Sequence, residues 1–311
     1  RRTQWLSYYT YFILSPVLLL FYTSVRDFNI RIFIFIFFAF VMTFVRNTSR
    51  SSRLSASLSR LNTLSYPKIW LIAFLIFFVT SLLLYNKGVY LAGDEPHFLS
   101  IAQSIVDDGD FDLKNNYSEA SYFILKPELD GTGWKIAPHI TMHDGYTRSF
   151  HMPGVSFLML PFYLVFKWTG YAIHPAIFFR LATTLINAFF AMGIFMLFRL
   201  YFKDREIFPF WLMIITSFPF LFHSTTIFPE IPAAMMTLFI FIFGFTRYKN
   251  YLLAGLFLAF LPWFHVKHYP VVMVFSLALL FKIFNEWKGD RNPAPILKFL
   301  VFPGFSLILL M

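Results

Sequence analysis

Two carboxylates, Asp94 and Glu95, stand side by side in Gly93-Asp94-Glu95-Pro96-His97, just past the end of an apolar run. Pro96 suits the first turn of a helix, where its missing N–H is no loss, and Asp94 suits the N-cap. Phe98, Ile101, Ala102 and Ile105 then form one apolar face, and Asp107, Asp108 and Gly109 end the helix. The positive end of the helix dipole favours an ionised carboxylate at Asp94. Such a group can take a proton from a hydroxyl or amine, or hold a divalent metal. Plain capping is the competing reading, because Asp is common before helices.

Other patterns carry less. Asp108, Asp110, Asp112 and Glu119 mimic calcium-loop positions, but Leu113 stands where the sharp turn requires glycine. His139 and His143 are four apart, as two zinc ligands on a helix would be, yet Pro138 and Gly145 argue for a loop and against zinc. No GxxxxGK[ST], GxGxxG or GxSxG pattern occurs, which weighs against ATP-driven transport, dinucleotide chemistry and α/β-hydrolase catalysis. With no Cys, thiol catalysis, disulfides and Cys-based metal sites are excluded.

The elements that must position these residues are set by lipid. The chain of 311 residues is 58% hydrophobic and 14% charged, against roughly a quarter charged in soluble domains. Its apolar runs recur at the ~20-residue length that a ~30 Å hydrocarbon core demands. They fall at about 5–25, 30–45, 69–85, 153–168, 180–202, 207–222, 232–246, 251–264, 270–284 and 296–311. Residues 86–152 form the only sizeable polar region. The net charge of +10 fits cytoplasmic loops facing anionic lipid better than nucleic acid, which is not expected as a partner. Arg46, Arg50, Arg53, Arg60 and Lys68, with Leu54, Leu58 and Leu61, read as a basic amphipathic helix on the cytoplasmic surface or a disordered basic loop. The chain opens on Arg1 and stops inside the run 299–311, so both ends look cut.

Charge parity sets the orientation. If 46–68 is cytoplasmic, the run 69–85 leads outward and 86–152 lies outside. Were 153–168 also a span, the loops with Arg199, Lys203 and Arg205, with Arg247 and Lys249, and with Lys282, Lys288 and Arg291 would all fall outside. An interfacial or re-entrant 153–168, with Pro153, Pro161, Lys167 and Trp168, keeps all three inside. All eight His, together with Glu230 and Lys267, then lie on or near the outer side. The expected fold is all-α and polytopic, with eight or nine transmembrane helices and a large outer loop carrying amphipathic juxtamembrane helices. Residues 1–85 hold N-terminal spans and the basic loop, 86–179 the outer catalytic region, and 180–311 a helical bundle.

Gly93 to Leu99, followed by Ala102-Gln103-Ser104-Ile105 and the run from Asp108 to Tyr117, resembles the first outer loop of C-class, lipid-linked glycosyltransferases. More narrowly, it is similar to bacterial family 39 members related to protein O-mannosyltransferases and to the aminoarabinose transferase of lipid A. His151-Met152-Pro153-Gly154, with Leu160-Pro161-Phe162-Tyr163, resembles the interfacial element that follows. Thr226 to Pro232 and Leu261 to Lys267 look like two later stations.

The resemblance implies a sugar donor on polyprenyl phosphate, an inverting transfer, and a multi-pass enzyme of the plasma membrane with its loop on the periplasmic or extracellular side. It makes Asp94 the catalytic base or a metal-linked carboxylate, with Glu95 beside it, and makes magnesium or manganese on this pair a candidate cofactor. The acceptor is a protein, a glycan or a lipid. Such a site needs cations for the donor phosphate. Lys267, His268, Arg180 and His151 are the candidates, with His265, His97 and Glu230 completing the donor-binding set. Lys267 can instead snorkel to the interface, and Glu230 can cap a helix. Where some relatives carry Lys-Pro-Pro, this chain has His151-Met152-Pro153.

The rival readings are a transporter or flippase of a lipid-linked saccharide and a non-catalytic membrane protein of the same build. Transporters place ionisable residues and broken helices near the bilayer midplane. The span interiors here hold almost no charge.

Overall fold

A computed structural model describes residues 60–118, 124–129, 136–143, 145–202, 207–290 and 293–310. The expected spans at 5–25 and 30–45, most of the basic segment 46–68, and Glu119 of the calcium-like run lie outside these residues. The chain divides into two units, 1–63 and 64–311. Of the first, the described part is a turn in which Thr63 Oγ1 donates to the Arg60 carbonyl at 2.7 Å.

The second unit is a helical bundle. Helix α1 (Tyr66–Asn86) starts with Pro67 in its first turn and stops before Gly88, whose φ of 75° is left-handed. It lies antiparallel to α5 (Pro175–Tyr201): Trp70 Nε1 donates to the Leu185 carbonyl at 3.2 Å, and Tyr85 packs on His174. His174 caps α5 by accepting from the Ala176 amide at 3.2 Å. Helices α8 (Glu230–Phe245), α9 (Tyr251–Phe260), α10 (Tyr269–Asp290) and α11 (Ala294–Leu310) complete the bundle. α9 and α11 meet closely at Gly255, where a Cβ would collide with the Phe299 carbonyl. Lipid gives helices no hydrophobic reason to associate, so small residues that let backbones approach are what the contact needs.

Three helices, Tyr66–Asn86, Pro175–Tyr201 and Val266–Lys288, are long and apolar enough to cross a membrane, and a bent pair makes up to four. Gly154–Trp168, Glu230–Phe245 and Tyr251–Trp263 are apolar but shorter. Among the described residues, fewer helices meet that length than the eight or nine expected.

The run 207–222 departs from a single span. It is two helices, α6 (Ile207–Ile215) and α7 (Phe218–Thr225), bent by 63°. The cause is local. Thr216 Oγ1 bonds back to the Leu212 carbonyl at 2.7 Å, and Ser217 Oγ to the Ile214 carbonyl at 2.6 Å. Pro219 then supplies no amide to continue the ladder. Asn187, buried on α5, donates to the carbonyls of His223 and Ser224 at 3.5 and 3.2 Å, covering the end of α7. Apolar surroundings tolerate broken backbone only where protein groups replace the lost partners.

The polar region 86–152 contributes α2 (Glu95–Asp107), the five-residue α3 (Lys114–Ser118) and one hairpin, β1 (Ile140–His143) with β2 (Tyr146–Ser149). The strands are antiparallel, with Ile140 opposite Ser149 and His143 opposite Tyr146. As expected, α2 ends at Asp107, and Gly109, at φ 77°, gives its amide to the Ser104 carbonyl. Helix α4 (Gly154–Trp168) runs beside α2 in the same direction. Ser156 Oγ donates to the Phe98 carbonyl at 2.8 Å, Tyr163 Oη to Asp107 Oδ2 at 2.9 Å, and Lys167 Nζ to Asp107 Oδ1 at 2.6 Å. Phe166 packs on Phe178 and Phe179 in the first turn of α5.

Charge is segregated along the bundle. Asp94, Glu230, Lys267 and the first turn of α5 share one end, and α4 makes these contacts there. Arg199 stacks on Tyr66, Tyr66 bonds Tyr248, and Lys249 pairs with Glu286 at the other end.

Candidate functional site

Asp94 takes the N-cap position of α2, but its side chain makes no capping bond among the described residues. Its Oδ1 lies 3.5 Å from His139 Nδ1 and 3.8 Å from His151 Nε2. The two imidazole nitrogens are 3.0 Å apart. All three side chains are partly open to solvent, His151 least at 18%. The competing assignment of Asp94 to capping therefore loses its main support, a bond to the backbone.

The hairpin delivers His139. Its carbonyl accepts from the Phe150 amide at 3.0 Å, which closes the base of the two strands just before His151. The hairpin is fixed to the loop after α2. Leu113 donates its amide to the Thr147 carbonyl at 2.7 Å, and the Thr147 amide donates to Asp112 Oδ1 at 3.0 Å. Asp110 Oδ1 likewise accepts from Ser104 Oγ and the Asp112 amide, both at 2.9 Å. These carboxylates hold the loop in shape, which accounts for the calcium-like spacing.

His97 lies behind this group. Its ring stacks on His139 with centroids 3.9 Å apart, and Nδ1 bonds the Tyr117 hydroxyl at 2.5 Å. Burial, reinforced by His139 and His151, lowers its pKa to about 4. Burial also lowers the pKa of His151, against the pull of Asp94. Both rings are neutral near pH 7, with lone pairs to offer. Tyr117 is pushed up to about 12 by burial, so its hydroxyl keeps its proton.

Glu95, expected to be catalytic or a metal ligand, is only 2% exposed. Its Oε1 accepts from the Ile227 amide at 2.9 Å and Oε2 from the Ala92 amide at 2.8 Å. Arg180, expected at the donor phosphate, lies 3.7 Å from Oε2 and is 1% exposed. Its Nη1 and Nη2 donate to the carbonyls of Val89 and Tyr90 at 2.6 and 2.9 Å. Burial raises the pKa of Glu95, opposed by Arg180 and the two amides. The pair is a clamp joining the loop before α2 to α5 and to residues 226–229; neither member faces solvent. A charge three residues before the apolar face of α2 does not disclose, in sequence alone, which way it will point.

The station at Leu261–Lys267 approaches the segment that carries His151. Gly154 packs against the turn Leu261–Trp263 so closely that a Cβ would lie 2.5 Å from the Trp263 carbonyl. His265, whose Nδ1 accepts from the Lys267 amide at 3.0 Å, is near enough to His151 to depress its pKa electrostatically. Lys267 pairs with Glu230 at 3.5 Å, both about half exposed. His268 follows with Nε2 buried and unpartnered.

Helical spacing pairs His139 with His143, whereas the hairpin sets His139 beside His151. The readable signal was Asp144-Gly145 between β-prone residues, a strong two-residue hairpin cue that folds 139 back onto 150.

Comparison of the chain with protein-family models, with curated proteins and with solved structures finds no match.

Proposed function

We propose that this chain is a membrane glycosyltransferase that moves a sugar from a polyprenyl-phosphate donor to an acceptor at the outer membrane face, with inversion. The observation that carries the reading is the side chain of Asp94, which leaves its capping bond unmade and opens to solvent 3.8 Å from His151, a ring that His265 in turn influences. In this mechanism the acceptor hydroxyl or amine attacks the anomeric carbon as the bond to phosphate oxygen breaks. Asp94 takes the acceptor's proton as base and polyprenyl phosphate leaves; were a divalent metal present, Asp94 would help to hold it and the metal would supply Lewis-acid activation of the acceptor. Lys267 offsets the charge that grows on the leaving phosphate. The position of α4 across the Asp94 end of the bundle supports an interfacial helix there, which keeps the basic loops inside and gives eight or nine spans over the whole chain. Supplying labelled polyprenyl-phosphate sugars to wild-type and Asp94→Ala protein tests the reading. Transfer should be abolished in the variant, and transfer at the wild-type rate would end the assignment.

A second reading, a transporter or flippase of a lipid-linked saccharide, gains from the break between α6 and α7, since broken helices line many transport sites. Sugar-lipid translocation by reconstituted Asp94→Ala protein, with no transfer by the wild type, would select it.

A further inference from the structure

We propose that Asp94, His139 and His151 form a three-ligand site for a borderline divalent transition metal, zinc in the first place, with a coordination position left open to solvent. The ligand atoms lie within 4.8 Å of one another, at separations of 3.0, 3.5 and 3.8 Å. A tetrahedral ion with bonds of about 2.0–2.1 Å holds its ligands about 3.3–3.4 Å apart, so small side-chain shifts bring all three atoms onto one centre. Donor chemistry sets the class of ion. Magnesium and calcium take oxygen sets, whereas two imidazoles with one carboxylate suit zinc and its first-row neighbours. Three protein ligands and a free position are the pattern of a zinc that binds water or substrate rather than one that only holds a fold.

The surroundings keep the ligands in place. His97 stacks on the His139 ring and is itself tied to Tyr117. The His151 amide donates to Ser149 Oγ at 3.0 Å. The Asp94 carbonyl accepts the amides of His97 and Phe98 at 3.0 and 3.1 Å, fixing the backbone from which its carboxylate projects. Supports of this kind orient metal ligands and govern affinity. Glu95 is outside the set because backbone amides take both its oxygens. The site differs in donors and in ion from a magnesium or manganese pair on adjacent carboxylates. It does not rest on the glycosyltransferase reading: metal can bind whether or not sugar is transferred.

The test uses tag-free full-length protein in detergent, stripped with chelator and titrated separately with Zn²⁺, Co²⁺ and Mg²⁺. Bound metal is measured by elemental analysis, and the Co²⁺ form by its visible absorption. Expected are one zinc per chain, visible bands of a four-coordinate cobalt centre, and no competition from a large excess of Mg²⁺. His139→Ala, His151→Ala and Asp94→Asn should each weaken zinc by more than the about 10–100-fold that loss of a mere supporting contact causes, while His143→Ala should not. Thermal unfolding of each metal-free variant near the wild-type temperature shows that the fold is intact. His139→Gln and His151→Gln replace any variant that misfolds. Absence of stoichiometric zinc, or zinc binding unchanged in both histidine variants, overturns the site and leaves a hydrogen-bonded His–His pair beside Asp94.

Discussion

The carboxylate of Glu95 faces the guanidinium of Arg180 at 3.7 Å, in a space closed to solvent and braced by four backbone groups. Removing one partner of a buried pair leaves the other charged and unmatched, at a cost of about 3–5 kcal/mol. Arg180→Leu and Glu95→Gln should each lower thermal stability markedly, and the double variant should lose less than the sum. Unfolding of the three proteins in detergent checks this; additive losses would mean that the two act independently.

Gly154→Ala should destabilise the protein by about 1–3 kcal/mol, because its Cβ meets the Trp263 backbone, which cannot step aside. Gly193→Ala should cost much less, since its nearest obstacle is the far end of the Leu238 side chain at 2.9 Å. Melting temperatures of the pair measure the contrast.

Asn187→Leu leaves the His223 and Ser224 carbonyls without their donor in apolar surroundings. A loss of about 1–3 kcal/mol is expected. Faster hydrogen exchange confined to 218–229 would locate the damage at the end of α7.

His97 titrates near 4 in the fold, against 6.5 for the free side chain. The unfolded chain therefore takes up its proton first as pH falls. The stability that neutral His97 contributes is complete above about 6.5 and is lost between there and about 4, on the order of 3 kcal/mol in total. His97→Gln should flatten the fall in melting temperature between pH 7 and 4.5.

Lys267→Ala removes one half of an exposed pair, so stability should change by less than about 1 kcal/mol. If Lys267 meets the donor phosphate, transfer should nevertheless drop by at least about tenfold. Activity and melting temperature measured together separate the two effects.

Much of this was legible in the residues. The apolar run 180–202 became α5, 69–85 became α1, and the stop at Asp107, Asp108 and Gly109 fell where capping chemistry puts it. Asp94, His151, His265 and Lys267 could be picked out by type and place because each sits at the edge of an apolar run. Less legible was the division of labour inside Asp94-Glu95. Adjacent carboxylates look alike on paper, and it takes partners as distant as Arg180 and Ile227, the latter 132 residues away, to hold Glu95 inward. The break after Ile215 was also hidden, because Thr216 and Ser217 are small enough to pass in a hydrophobic run, yet their hydroxyls compete for backbone carbonyls. His139 was lost to a helical spacing that a hairpin does not obey.

The reach of the Glu95 clamp also separates the proposed site from its braces along the chain. Asp94, His139 and His151 lie within one polar stretch, but Arg180 follows α4, and Ile227 follows the long helix α5 as well. A nascent chain halted after residue 151 would carry every proposed metal ligand and none of the distant braces. The start of α2 therefore cannot be clamped until the segment after α7 has been made and comes back to meet it.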